Sequence, residues 1–305
     1  MTIALFSRAS LILSTFIAST LYTHFRGKVR HKFFRQLTDH STFMAPINLF
    51  MYLFSAIPNT VYINLEQFPE LQVLRDNWLI IKKEAEKLYQ EGYIAASDHY
   101  DDAGFNSFFR RGWKRFYLKW YDQALPSAKN LCPETLKLIE NIPSINAAMF
   151  TLLPSGSKLV RHRDPYAGSL RYHLGIMTPN SEKCYINVDG ESYFWRDGEV
   201  IMFDETFIHY AENATNQDRI IFFCDIARPM RNRLATAINR WFSRYIMSAS
   251  ATKNLPGDKI GFINKVFKYL YQIRLLGKKL KAYNKTLYYL VKYLLFAGLI
   301  YLLFL

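Results

Sequence analysis

Short β-type runs between residues 144 and 228, turn residues between successive runs, and helical periodicity confined to the flanks point to one class of fold. It is an all-β jelly roll, a double-stranded β-helix, with flanking helices. The runs are "AAMFTLL", "LRYHLGI", "KCYINVD", "ESYFWRD", "VIMFD" and "RIIFFCDIA". They are separated by "PSGS", "TPNS", two "DG" pairs and "NATNQD". These residue types accept positive φ or bond their own backbone, so they favour tight turns.

The remaining elements follow along the chain. Residues 3–22, "IALFSRASLILSTFIASTLY", are about long enough to cross a bilayer, although Arg8 and several Ser/Thr dilute the run. A cleaved signal peptide is the alternative, but basic "RGKVRHKFFR" follows rather than a small-residue cleavage site. "FMAPINLFMYLFSAIP" (43–58) is apolar but interrupted by Pro46 and Asn48, which suits an interfacial or buried hairpin. Residues 69–93 carry helical spacing with charges on one face, and 133–142 read as a short helix with Pro133 in its first turn. Residues 231–285 are basic and mostly helical in pattern, broken at "NLPGDK". The final run, 286–305, has Lys292 as its one charge and tyrosines at its entry. "KKLKAYNK" precedes it, a basic stretch of the kind that stays cytoplasmic. The expected organisation is an N-terminal membrane anchor (1–25), a basic juxtamembrane and interfacial segment (26–68) and a catalytic domain (69–230). That domain divides into a helical part (69–143) and a jelly roll (144–230). A basic helical region (231–285) and a C-terminal membrane anchor (286–305) follow.

Charge is distributed unevenly. Residues 1–35 hold six Lys/Arg and no acid, and 229–305 hold fourteen against Asp258 alone, while the centre has nineteen bases and twenty-four acids. Basic flanks beside apolar runs fit an inner membrane with anionic lipids better than nucleic acid. Cys132, Cys184 and Cys224 are odd in number and lack a C-x-x-C pair, which suits buried thiols in a reducing compartment. Both features place the domain on the cytoplasmic side.

The densest chemistry lies in "HRDPYAGSLRYHLG" (162–175). His162 and Asp164 are i and i+2, so on a strand they share a face. His209 stands at another strand end, in "FDETFIHYAEN". Two histidines and a carboxylate form the facial triad of non-haem Fe(II) oxygenases, which leaves positions open for a cosubstrate and O2. A polar turn between strands would use the same residues. Arg219 opens the next strand, and its planar fork suits a carboxylate such as the distal one of 2-oxoglutarate. A solvated strand-end charge is the alternative.

"HRDPYAGSLRYHLG", "WRDGEVIMFDETFIHYAEN" and "RIIFFCDIARP" together resemble the aspartyl/asparaginyl β-hydroxylase family of Fe(II)/2-oxoglutarate dioxygenases. The likeness extends through "FRGKVRHKFFRQL" and "GWKRFYLKWYD" to about residue 235. It implies that His162 and His209 ligate Fe(II), with Asp164 completing the triad where animal peptidyl hydroxylases have glycine. It also implies that Arg219 pairs with the distal carboxylate of 2-oxoglutarate, that Arg171 and His173 contact this cosubstrate, and that Thr151 matches a hydroxyl residue binding its carboxylate. Arg171 as a structural ion-pair partner, and His173 as a residue orienting a neighbour, remain open. The chemistry implied is oxidative decarboxylation of 2-oxoglutarate coupled to hydroxylation of an unactivated C–H bond. Within the family the likeness runs to bacterial members that hydroxylate C2 of a secondary acyl chain of lipid A. "FFRRGWKRFYLKWY" (108–121) would then meet lipid phosphates, or else be a basic helix face packing Trp113 and Phe116 inward. A membrane-tethered peptidyl Asp/Asn hydroxylase and a non-catalytic jelly-roll scaffold are the other readings.

Overall fold

The computed structural model describes residues 2–97, 101–121 and 123–304. Its N-terminal helices are α1 (Thr2–Phe25), α2 (Phe33–Leu37), α3 (His40–Phe43), α4 (Ala45–Leu53), α5 (Gln72–Asp76), α6 (Trp78–Gln90) and α7 (Asn106–Phe109). Strands β1 (Lys114–Trp120) and β2 (Gln123–Ala124) come next, then helices α8 (Pro126–Leu131) and α9 (Pro133–Glu140). The jelly-roll strands are β3 (Ile145–Leu153), β4 (Ser157–Lys158), β5 (Ser169–Met177), β6 (Cys184–Val188), β7 (Glu191–Phe194), β8 (Val200–Phe203), β9 (His209–Asn213) and β10 (Arg219–Ala227). Helices α10 (Arg233–Phe242), α11 (Phe262–Tyr283) and α12 (Lys285–Phe304) close the chain.

The strands form two antiparallel sheets, β2-β1-β3-β10-β5-β8 and β4-β9-β6-β7. β3, β5 and β10 are buried almost throughout rather than alternating in and out. Both faces of the large sheet are covered, as continuous apolar runs require. Arg171, His173, Arg219, Ile221 and Phe223 line a cavity with Ile186, His209 and Ala211 of the small sheet. Alternate residues Tyr172, Leu174, Phe222 and Cys224 belong to the main apolar core, and α6 packs over β5. α6 contributes Ile81, Ala85 and Leu88, spaced at helical period and fully buried.

Four expectations change. The 69–93 helix is broken at Asn77, whose side-chain amide donates to the Val73 carbonyl at 2.8 Å and ends α5. Such local bonding competes with helix continuation. The 108–121 segment read as a helix face contains β1, paired with β3. Trp113 and Phe116 are buried as expected, but so is Arg115, held by Asp102 at 3.2 Å. The aromatic run around it favours a pleated surface over a helix. The 43–58 patch is a helix, α4, and not a hairpin, because Pro46 sits in its first turn where no hydrogen bond is lost. The terminal spans are also corrected: among the described residues no helix is long and apolar enough to cross a membrane. α1 is diluted by Ser/Thr, and it buries Ser19, Thr23 and His24 while packing on α3 and α4. α12 carries four tyrosines and two lysines within its Lys285–Phe304 span.

The basic stretch after α1 is strapped to the jelly roll. Arg26 is buried between the rings of Tyr52 and Phe207 and pairs with Asp204, which Arg228 holds from the other side at 2.7 Å. The two guanidiniums keep the Asp204 carboxyl well below its usual range against the opposing effect of burial. Asp189 accepts from the backbone N–H groups of Lys28 and Val29.

Candidate active site

His162 and His209 face each other across an isolated antiparallel bridge, joined by N–H···O bonds of 3.0 and 2.8 Å. Their rings lie 4.2 Å apart. Each imidazole is oriented by its own chain. His162 Nδ1 bonds the Val160 carbonyl at 2.7 Å, and His209 Nδ1 bonds the Phe207 carbonyl at 2.9 Å. A carbonyl accepts only, so Nδ1 carries the proton and Nε2 presents a lone pair. Burial lowers the basicity of both, His209 to about 3, so both stay neutral near pH 7. One ligand atom from each of His162, Asp164 and His209 lies within 4.8 Å of the others, a group that could hold a metal ion.

Asp164 is fixed from two directions. Its backbone N–H donates to the Glu205 carbonyl, and its Oδ2 accepts from Arg171 Nη2 at 2.6 Å. Burial opposes ionisation of Asp164, but the Arg171 guanidinium outweighs it and holds the carboxyl below its usual value. Arg171 also pairs with Glu205 and with Asp225 Oδ1 at 3.1 Å, and it lies 3.6 Å above the Phe223 ring. Its fork is therefore occupied by three carboxylates of the protein, the arrangement of a structural ion-pair partner.

The cavity beside the triad has a volume of about 50 Å³ and is partly open to solvent. Arg219 reaches it from the start of β10. Its Nη2 lies 3.4 Å from the Thr151 hydroxyl, and its guanidinium rests 4.4 Å from the Trp195 ring centroid. Among the described residues no carboxylate pairs with it, and its Nε has no partner. Burial lowers its pKa to about 10, which leaves it a cation at neutral pH. His173 stacks on Phe223 with both ring nitrogens buried and unpartnered, and burial holds it well below its ordinary pKa. A cation and a donor-acceptor pair left unsatisfied in one cavity suit a carboxylate-bearing ligand.

All seven residues singled out from the sequence thus line one cavity. Glu205 and Asp225 were missed. Asp225 had a signal, since it shares strand parity with Arg219, Ile221 and Phe223. Phe105, Phe108 and Trp113 wall the cavity from the segment just before β1, with Phe105 stacked on Trp113 and Phe108 edge-on to His162. Nothing in their spacing relative to the H-x-D motif announces that.

Residues 75–229 match the profile of the family described as aspartyl/asparaginyl beta-hydroxylase, and this span contains every cavity residue named above. The chain is 34% identical over 121 residues to the ornithine lipid ester-linked acyl 2-hydroxylase of Rhizobium tropici, covering 39% of this chain and 43% of that one. It is 29% identical over 185 residues to human aspartate beta-hydroxylase domain-containing protein 2, covering 57% and 48%. Human aspartyl/asparaginyl beta-hydroxylase matches at 24% over 164 residues, covering 51% and 21%. The chain therefore spans about half, or less, of the length of these relatives. Among solved structures, a cupin domain of Schizosaccharomyces pombe Cnp3 aligns with a TM-score of 0.26 at 10% identity, over 38% of this chain and 64% of that one. So low a score carries no argument, and the fold rests on the strand order itself.

Proposed function

Because this chain belongs to the aspartyl/asparaginyl β-hydroxylase family, we propose that it is an Fe(II)- and 2-oxoglutarate-dependent hydroxylase of a lipid acyl chain. The target carbon in this reading is C2 of a secondary acyl chain of lipid A or a lipid A precursor. The observation that carries the chemistry is the pairing of an oriented His162–Asp164–His209 group with a buried Arg219 that lacks a carboxylate partner. The lipid class is supported by the bacterial relative named an acyl 2-hydroxylase and by the aromatic wall of the cavity.

Iron, with O2 and 2-oxoglutarate, would supply the oxidising power to hydroxylate an unactivated C–H bond. The chain's own part is positional. His162 and His209 offer Nε2 lone pairs whose direction is set by the Val160 and Phe207 carbonyls. Asp164 offers a carboxylate oxygen and is kept ionised by Arg171. Arg219 and the Thr151 hydroxyl would take the distal carboxylate of 2-oxoglutarate, and the unpartnered ring nitrogens of His173 would bond the same molecule. Phe105, Phe108 and Trp113 exclude water and give an acyl chain apolar contact. We place the reaction at the cytoplasmic face of the inner membrane, where the basic flanks meet anionic lipid, without requiring a spanning helix.

The test is turnover by the purified chain with Fe(II), 2-oxoglutarate and O2. Mass spectrometry should find one added oxygen on an acyl chain of lipid A, with matching succinate release. Succinate released on an Asp/Asn peptide, with lipid A unchanged, would favour a peptidyl hydroxylase. No succinate with either would leave a non-catalytic scaffold.

A further inference from the structure

We infer that α10 is the surface by which this protein docks on an anionic lipid bilayer, an inference that rests on the lipid-substrate reading above. α10 has two unlike faces. The inner one is bolted to the loop between β4 and β5 that also carries His162 and Asp164. Asn239 accepts from the Tyr166 hydroxyl at 2.6 Å and donates to the Gly168 carbonyl at 2.9 Å. Phe242 stacks on Tyr166 with centroids 4.6 Å apart. Tyr166 stands two residues after Asp164, so the helix is tied to the site through a short, packed connection.

The outer face is apolar where a free surface would be polar. Leu234 is 71% exposed, Trp241 56% and Tyr245 57%. They stand at i, i+7 and i+11, which at helical period places them in one stripe. The turn Ser243–Met247 is wound as a π-helix and carries Tyr245 onward from α10. Arginines flank the stripe at 233, 240 and 244. Arg231, Arg233 and Arg240 line one shallow cleft, and no acidic residue lines it. The sequence has no acid at all between Asp225 and Asp258.

This combination selects the occupant. A Leu/Trp/Tyr stripe flanked by arginines is the pattern of a helix lying in the headgroup layer, with aromatic rings at the interface and guanidiniums on phosphates. The charge complement of an acid-free arginine cleft is an anionic surface, and a lipid bilayer supplies both that charge and an apolar layer beneath it. Docking through α10 would bring a lipid's acyl chains to a helix fixed to the loop beyond Asp164.

The test uses the full chain with Leu234→Cys carrying an environment-sensitive fluorophore. The three natural cysteines are buried. Vesicles of phosphatidylcholine containing phosphatidylglycerol should shift the emission to the blue and raise it about threefold or more, while pure phosphatidylcholine should not. Adding Arg233→Gln and Arg240→Gln should weaken the apparent vesicle affinity on the order of tenfold, with the melting temperature unchanged. Inorganic phosphate at equal lipid-phosphate concentration should not displace the vesicles. A silent label, an equal response to neutral vesicles, displacement by phosphate, or unchanged affinity in the double variant would overturn the proposal. Docking is read without turnover. A responding label with unhydroxylated lipid sinks the chemistry alone, and hydroxylated lipid with a silent label sinks the surface alone.

Discussion

At the scale of single residues, the site separates His162, Asp164 and His209, which could hold a metal ion, from Arg219 and His173, which have buried polar atoms without partners. His209→Ala removes one of three ligands that converge within 4.8 Å. Iron affinity should fall by at least about 100-fold and hydroxylation should be lost, because two remaining ligands rarely retain Fe(II) in an open site. Iron titration by calorimetry, alongside succinate release, measures both, and near-wild-type iron binding would remove His209 from the centre. Asp164→Ala should be less severe, since the family likeness implies that animal peptidyl hydroxylases, with glycine at this position, work with two histidine ligands. Arg219→Lys keeps a charge but loses the planar fork. The KM for 2-oxoglutarate should rise about tenfold or more, with the fold intact by circular dichroism. An unchanged KM would mean that another cation grips the cosubstrate, although Arg171 is already engaged by Asp164, Glu205 and Asp225.

At the scale of elements, strand β5 carries Arg171 and His173 into the cavity in register with β10 and β8, and its far end lies close to the turn before β8. The Gly175 N–H donates to the Glu199 carbonyl, and its own carbonyl accepts from Gly198. A Cβ at Gly175 would lie 2.0 Å from the Arg196 carbonyl oxygen, a backbone atom with little freedom to yield. Gly175→Ala should therefore cost about 3 kcal/mol through overpacking and a disturbed ladder. Urea denaturation is the measurement, and a loss of less than about 1 kcal/mol would show that the turn shifts freely.

At the scale of the whole molecule, the segment before the catalytic domain is part of its packing. His31 is buried near Arg35, and burial followed by that positive charge lowers its pKa from 6.5 to about 4. The folded state thus binds the proton less tightly than the unfolded chain. The stability that neutral His31 contributes is fully present above pH 6.5 and is lost progressively as pH falls toward 4. His31→Gln should flatten this part of the stability profile by on the order of 1 kcal/mol. Thermal melts at pH 7 and pH 5 should show a smaller difference for the variant, and an equal difference would assign the acid sensitivity to other groups.

Sequence by itself located the long strands of the jelly roll and singled out the seven residues that line its cavity. β3, β5 and β10 are long apolar runs with turn residues at both ends, and period-2 spacing assigns Arg219 and Ile221 to a common face, whereas His162 and Asp164 lie between β4 and β5, outside both strands. Those signals are local, so one chain segment contains them whole. Only the tertiary structure decided the rest, because it depends on residues far apart in sequence. Lys114–Trp120 became a strand by pairing with β3, and Arg115 could be buried there only because Asp102 meets it. Arg171 turned out to be held by three carboxylates, two of them contributed by β10 and the segment after β8. The basic run at 26–30 read as membrane-facing charge, yet Arg26 is drawn inward by Asp204, 178 residues away. A buried cation is stable only where a counter-charge and ring faces replace water, and composition cannot say where those will be.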